Sequence, residues 1–583
     1  MRTQVNRETT HIMLTETIPT IDLRQEITVQ SIKVRLRLTA ITEVQRPLEQ
    51  RTAHQGVAVH QVAVHQEEDN TMKKITLNFW MLICILTGGF LSAQELNEIV
   101  QYTTEELHGS ARYQALAGAF GALGGDLSAI SNNPASSTVF LLNEAGITIG
   151  LQSYATDTSY FKSLKSEETN SFDVGQAGFV MVFVNSSSKW DKIAFGFNTQ
   201  MMNNFNKNLY ARGLNKQNGL ADYFLDMAGS TLDRNIPFST YDFENNTNNE
   251  YSYLGEFYGA DAQRTYLAYY TGLINYYESV NEAPYYGYVD DKGLGIDQIH
   301  DLQSKGGQRK YTLNFSGRYL EKLSLGVNIN IYSVDYSHRK LTSDKYVDRE
   351  NSFLDQVDFI QELSSLGTGI SFQLGALYKV SEVLRLGLNY TSPTYYEIEE
   401  EYSEALDVRY NADLDGAMGR ALYPNVINLL PVYNLKTPSI TQASMALVFG
   451  KNGLLSVDYG FKDFTSTKVN DSNGDFDYLN DAINNNLDRA SFLRAGGETR
   501  FGDISLRAGY WFDKTPYKNN QVMNDRSGFA IGTGIRFGNT SLDLTYTKTN
   551  QDYRQQLYNT GLTDTIDVQQ QTGQVSLTYN VRF

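Results

Sequence analysis

Several groups of residues have the types and spacing that chemistry would need. The run Gly118-Ala-Phe-Gly-Ala-Leu-Gly-Gly-Asp126 has enough glycine to cradle a phosphate on backbone N–H groups. No strand precedes it and no Lys-Ser/Thr pair follows, so nucleotide binding is not expected. Asp471-Ser-Asn473-Gly-Asp475-Phe-Asp477 spaces oxygen ligands as a calcium loop does but lacks the bidentate glutamate at the twelfth position, which favours a solvated turn. His11, His54, His60 and His65 occur without cysteine or carboxylate ligands at the usual spacing, so no metal site is expected. His108, His300 and His338 carry no nucleophile signature; no Ser-His-acid triad can be assembled, and neither enzyme activity nor a cofactor is anticipated.

Composition narrows the class further. The net charge of −17 argues against nucleic acid as a partner, because phosphate recognition needs a basic face. The single cysteine, Cys84, leaves no disulfide framework. Thirty-nine Tyr, 29 Phe and 46 Gly beside a negative mean hydropathy do not describe a helical membrane protein. Membrane strands escape hydropathy averages, because only every second residue faces lipid.

That alternation organises the chain from Glu144 onward. Val575, Leu577, Tyr579, Val581 and Phe583 share one face of the last strand, and Gln574, Ser576, Thr578, Asn580 and Arg582 share the other. Comparable segments are 144–154, 176–185, 190–201, 309–318, 322–334, 369–380, 382–391, 437–449, 453–463, 490–500, 503–513, 526–537, 540–548 and 573–583. Most are close to the ~9–11 residues of a tilted transmembrane strand. Short gaps alternate with longer ones at 155–175, 202–308, 335–368, 392–436, 464–489, 514–525 and 549–572, as periplasmic turns alternate with external loops. The expected fold is all-β: a transmembrane antiparallel barrel of about fourteen strands over residues 144–583, with long external loops. Aromatic residues near strand ends, among them Tyr311, Phe315, Tyr390, Tyr459, Tyr510 and Tyr546, suit interfacial girdles. The tyrosine-dense loop 202–308 could form a groove for an amphipathic ligand or pack on itself.

Residues 1–71 contain no Phe, Tyr or Trp and read as a disordered or spurious leader. Met72-Lys-Lys74, the apolar run Leu77–Leu91 and Leu91-Ser-Ala93 form a signal peptide over 72–93. Mature protein should begin near Gln94.

Residues 94–143 hold the run Ser110-Ala-Arg-Tyr-Gln-Ala-Leu-Ala-Gly-Ala-Phe-Gly-Ala-Leu-Gly-Gly-Asp126, then Ser128-Ala-Ile-Ser-Asn-Asn-Pro-Ala135. This stretch resembles the N-terminal hatch of the FadL family, outer-membrane transporters of long-chain fatty acids and other hydrophobic compounds. Asn133, Pro134 and Ala135 match that family's Asn-Pro-Ala motif inside the barrel; beyond the hatch the resemblance is architectural. It implies passive uptake by loop capture, hatch rearrangement and lateral release. It also implies the outer membrane of a Gram-negative bacterium, with both termini periplasmic, outer-membrane lipid around the wall, and barrel-assembly machinery reading the C-terminal strand that ends in Phe583. The alternative is a non-transport barrel that binds a protein partner in secretion or surface attachment.

With the apolar face outward, Arg318, Arg385, Arg494, Arg507, Arg536 and Arg582 point into the lumen, most of them near a periplasmic turn. The hatch carries Glu95, Glu98, Glu105, Glu106 and Asp126. The expectation is that these arginines clamp the hatch by charge-assisted hydrogen bonds, or else balance the wall carboxylates Asp458, Glu498 and Asp543.

Overall fold

The computed structural model describes residues 92–231, 247–276, 285–287, 294–348, 350, 352–414, 417–470 and 476–583. The leader, most of the expected signal peptide, and Asp471 to Asp475 of the calcium-like run lie outside the described residues.

Fourteen strands form the barrel: β1 (Glu144–Tyr160), β2 (Ser163–Val184), β3 (Trp190–Asn204), β4 (Ile296–Tyr319), β5 (Leu323–Tyr346), β6 (Leu354–Lys379) and β7 (Leu384–Thr391), then β8 (Ile440–Val448), β9 (Gly453–Asp463), β10 (Arg489–Phe501), β11 (Ile504–Asp513), β12 (Arg526–Phe537), β13 (Thr540–Gln556) and β14 (Thr565–Arg582). Each pairs antiparallel with its neighbour, and β14 returns to β1 from Glu144↔Arg582 to Ser159↔Asp567, which closes the cylinder. Closure leaves no sheet edge to satisfy in hydrocarbon. No helix among the described residues is long and apolar enough to cross a membrane.

The faces are inverted relative to a water-soluble sheet. On β14 the polar Gln574, Ser576, Thr578 and Asn580 are buried, while Val575 and Tyr579 are exposed. The same holds for Leu325, Val327, Ile329 and Ile331 outside β5 against Ser324, Asn328 and Asn330 inside. An exterior ring of exposed aliphatic and aromatic side chains around a polar interior is stable only when hydrocarbon surrounds it.

The strands run further than the sequence reading expects. β4 has 24 residues, roughly 80 Å at ~3.3 Å per residue, against the ~30 Å of a bilayer core. Segment 155–175, read as a loop, is a continuous hairpin closed by Phe161 and Lys162 at positive φ. The period of two persists there but the faces exchange character. Ile566 and Val568 of β14 turn inward and are buried; Asp567 and Gln569 face outward and are exposed. Above the lipid band the cylinder is therefore an ordinary water-exposed sheet with an apolar inside.

That inside is filled. Numbering the helices in chain order, α1 (Ser92–Thr103), α2 (Ala111–Ala115) and α3 (Leu127–Asn132) precede the barrel. Then α4 (Leu220–Thr231), α5 (Thr247–Tyr258) and α6 (Ala260–Tyr270) lie between β3 and β4, and α7 (Asp477–Asn486) between β9 and β10. Leu220, Phe224, Tyr251, Tyr266 and Leu267 from α4 to α6 form one buried cluster with Phe359, Val408, Tyr558 and Val568. Of the loop tyrosines, Tyr251, Tyr266 and Tyr285 are buried in this cluster, whereas Tyr253, Tyr258 and Tyr286 remain exposed. Pro393 and Pro438, which cannot donate to a ladder, break β7 and β8 from their continuations Tyr395–Leu414 and Tyr433–Lys436.

Leu544, on the outer face of β13, is 46% exposed. Leu544→Arg should destabilise the protein by about 2–4 kcal/mol in lipid vesicles, read from urea-driven unfolding. A change near zero would mean that this face meets water.

Candidate functional site

The described residues before β1, from α1 to Asn143, lie inside the cylinder. Its helices are short, so many backbone groups have no intrahelical partner, and burial without partners would be costly. The wall supplies them through inward amides and one cation: Asn314 donates to Pro134 O at 2.9 Å, Asn328 to Ile130 O at 2.9 Å, Gln373 to Asn132 O at 2.8 Å, Gln200 to His108 O at 2.9 Å and Lys310 to Ser131 O at 3.2 Å. On the opposite wall Asp458 accepts Gly121 N–H at 2.9 Å, and Thr578 accepts Ala111 N–H at 2.7 Å.

Asn133, Pro134 and Ala135 sit at the tightest part of this packing. Asn133 Nδ2 donates to Gly121 O at 2.6 Å and reaches the wall carbonyl of Ala376 at 3.2 Å, while its Oδ1 accepts Ala135 N–H at 3.1 Å. Pro134 opens the 3-10 helix Pro134–Val139, where its missing N–H costs nothing. Gly375 of β6 and Gly326 of β5 face them: a Cβ at Gly375 would stand 2.1 Å from Asn133 Oδ1, and one at Gly326 would stand 2.4 Å from the Pro134 carbonyl carbon.

Four of the six arginines pair with carboxylates of the wall. Arg318 binds Asp191, Arg494 binds Asp513, Arg582 binds Glu144, and Arg507 bridges Glu498 and Asp543 at 2.6 Å each. Arg385 alone donates to the segment, at Leu123 O, 3.1 Å. Arg536 is exposed at the short-turn end. The segment's own contribution to this charge layer has the opposite sign from the expected one: Arg112 Nε donates to wall Glu498 at 3.0 Å.

Glu98, Glu105 and Glu106 are paired elsewhere, because α1 lies at the long-hairpin end. Its Asn97 meets Tyr517 between β11 and β12, and Glu98 lies 4.0 Å from His338. From there the chain descends to Asn143, which accepts Phe583 N–H at the short-turn end. Among the described residues, α1 and Phe583 therefore lie toward opposite ends of the barrel. At mid-height Thr104–Leu107 crosses the lumen as a strap. Glu105 reaches Lys462 at 3.6 Å, and Arg526 donates to its carbonyl. Glu106 accepts from Lys207 at 3.0 Å and Tyr154 Oη at 2.9 Å, and lies 3.1 Å from His108 Nε2. Sequence reasoning missed Lys207 because it follows the last residue of the expected third strand, in what reads as loop.

The strap is the common wall of two cavities, of about 160 and 240 Å³, both lined by Thr104, Glu106 and Leu107. Lys310, Lys462, Arg494 and Arg526 line the smaller beside Glu105, Asp458 and Asp513. No cluster of three metal-ligating side chains occurs among the described residues. His300 is buried against Thr342, and His338 lies beside Tyr336, without a nucleophile.

Burial alone would raise the Glu106 carboxyl, but the Lys207 ammonium and the His108 contact hold it well below the usual carboxylate range. A depressed folded-state pKa gives stability that is present above ~4.3 and is lost as pH falls through the lowered value. Glu106→Gln should therefore loosen the strap by about 1.5–3 kcal/mol at neutral pH and much less in strong acid. Faster protease cleavage at 104–108 reads it out; a variant as resistant as wild type would show that the pairs do not hold the strap.

No protein-family model matches the chain, and no curated protein matches it. Several solved structures are similar to it. A Pseudomonas aeruginosa FadL homologue has 14% identity and a TM-score of 0.48, covering 82% of this chain and 100% of that one. The Pseudomonas putida toluene transporter TodX has 12% identity and a TM-score of 0.45, covering 82% and 100%. The Ralstonia pickettii toluene transporter TbuX has 12% identity and a TM-score of 0.43, covering 82% and 98%.

Proposed function

We propose that the protein is an outer-membrane transporter for passive uptake of hydrophobic small molecules, long-chain fatty acids among them, with the N-terminal segment as its hatch. The observation that carries this reading is the Glu105–Glu106 strap pinned between two lumenal cavities. Each cavity is smaller than the roughly 300 Å³ of an ordinary small-molecule pocket. A long-chain occupant requires them to merge, and release of the strap merges them without expelling the deeper part of the segment, which the wall holds by hydrogen bonds at Ala111, Ile130, Asn132 and Pro134.

Lateral release is supported by the seam between β2 and β3. Their ladder runs only from Gln176↔Gln200 to Val184↔Lys192, whereas β2 pairs with β1 from Ser163 to Val180. The β1–β2 register shifts at Thr148/Ile149, opposite Gly175, and Gly109 O of the hatch lies 4.0 Å from a Cβ placed there. Gln200 and His108 line the smaller cavity just inside this point, so an apolar solute there is near the bilayer without recrossing the polar surface.

Uptake of a radiolabelled long-chain fatty acid and of toluene, measured in a strain lacking the protein and complemented with wild type or Glu106→Gln, tests the reading. Wild type should restore uptake of at least one, and Glu106→Gln should change its rate several-fold. Uptake unchanged by the deletion, with a secreted protein co-purifying, would favour the protein-binding alternative.

A further inference from the structure

The outer wall carries a groove, of about 710 Å³, across β13, β14, β1 and β2. Three successive outward-facing rows define it. The lower row is Tyr546, Val575, Leu151 and Phe172, each at least 40% exposed and part of the lipid-facing band. The middle row is Lys548, Gly573, Ser153 and Asn170; the upper is Asn550, Gln571, Ala155 and Glu168. The switch from apolar to polar exterior falls between the lower and middle rows, so the middle row lies at the membrane–water boundary of the long-hairpin side. Small residues, Gly573 and Ser153, make the floor at that level.

Lys548 stands at the end of this floor. Among the described residues no hydrogen bond or ion pair engages its ammonium, and no carboxylate lines the groove. Glu168, one row higher and three strands away, accepts from Ser153 Oγ at 2.8 Å. A cation on a chain of net charge −17, placed at headgroup height above an apolar trough, is complementary to an amphiphile with an anionic head and hydrocarbon tail. The groove is closed toward the lumen, since the β13–β14 and β14–β1 ladders run through it without a break.

We propose that this groove is a site for an outer-leaflet lipid, its acyl chain along Leu151, Phe172, Tyr546 and Val575 and its anionic phosphate at Lys548. It requires only that the barrel spans the membrane, so it stands or falls apart from transport. The test uses the full-length folded protein in detergent micelles, with phosphatidylglycerol or phosphatidylcholine added and bound lipid counted by native mass spectrometry. Wild type should retain phosphatidylglycerol roughly fivefold better, the ratio expected for one lysine near a lipid surface. Lys548→Gln should abolish that preference. Gly573→Leu should remove retention of both lipids; its Cβ would meet nothing nearer than Tyr546 Oη at 3.6 Å, so the wall accommodates the substitution. Equal retention by wild type, or a preference that survives Lys548→Gln, would overturn the site. Displacement of phosphatidylglycerol by excess inorganic phosphate would overturn the lipid as occupant.

Discussion

An irregular chain enclosed in a closed cylinder has to find hydrogen-bond partners for its backbone, and every other feature of the lumen answers to that need. Ser110–Phe140 cannot satisfy itself, because its helices span six residues or fewer. Asn314, Asn328, Gln373 and Gln200 are therefore not generic lumenal polarity but the second half of a ladder whose first half is the segment's carbonyls. The wall glycines have the complementary task. Gly326 and Gly375 let Asn133 and Pro134 approach the strand backbone, so the amides reach without bridging water.

Charge is layered along the barrel axis. Near the short turns, Arg507, Glu498, Asp543 and Arg112 form a network in which Glu498 also accepts from Arg500, so wall and segment share one set of buried pairs. Higher up, Glu105 and Glu106 face Lys462 and Lys207, where the lumen is open enough to hold cavities. The lower layer is densely paired and the upper one flanks empty space. Mobility should accordingly rise from the base of the segment toward the strap.

How much of this was legible follows from where the residues face. Alternation revealed the fourteen strands because lipid forces an apolar exterior, and Val575 and Tyr579 show it without help from any neighbour. The extensions were hidden because the faces exchange character above the lipid band. Ile566 and Val568 continue the period, but a search for apolar residues on the outward positions stops short of them. Asn133-Pro134-Ala135 could be found as a motif, yet Gly326 and Gly375 could not, since the reason for each glycine lies in Pro134 or Asn133, far earlier in the chain. The period of two puts the arginines on one face, where Arg507 is buried and Arg536 is exposed, but a face does not specify height. Their partners depend on register and on the height along the axis at which Glu98, Glu105 and Glu106 lie.

The central claim is that the segment is locked to the wall at Asn133–Ala135 and yields first at Thr104–Leu107. Hydrogen–deuterium exchange of the intact protein in lipid nanodiscs measures both regions at once. Amides of Gly121–Phe140 should be protected nearly as well as those of β5 and β6, with the strap exchanging faster, and faster still when a fatty acid is added. Exchange over Gly121–Phe140 as fast as in the strap would contradict the account.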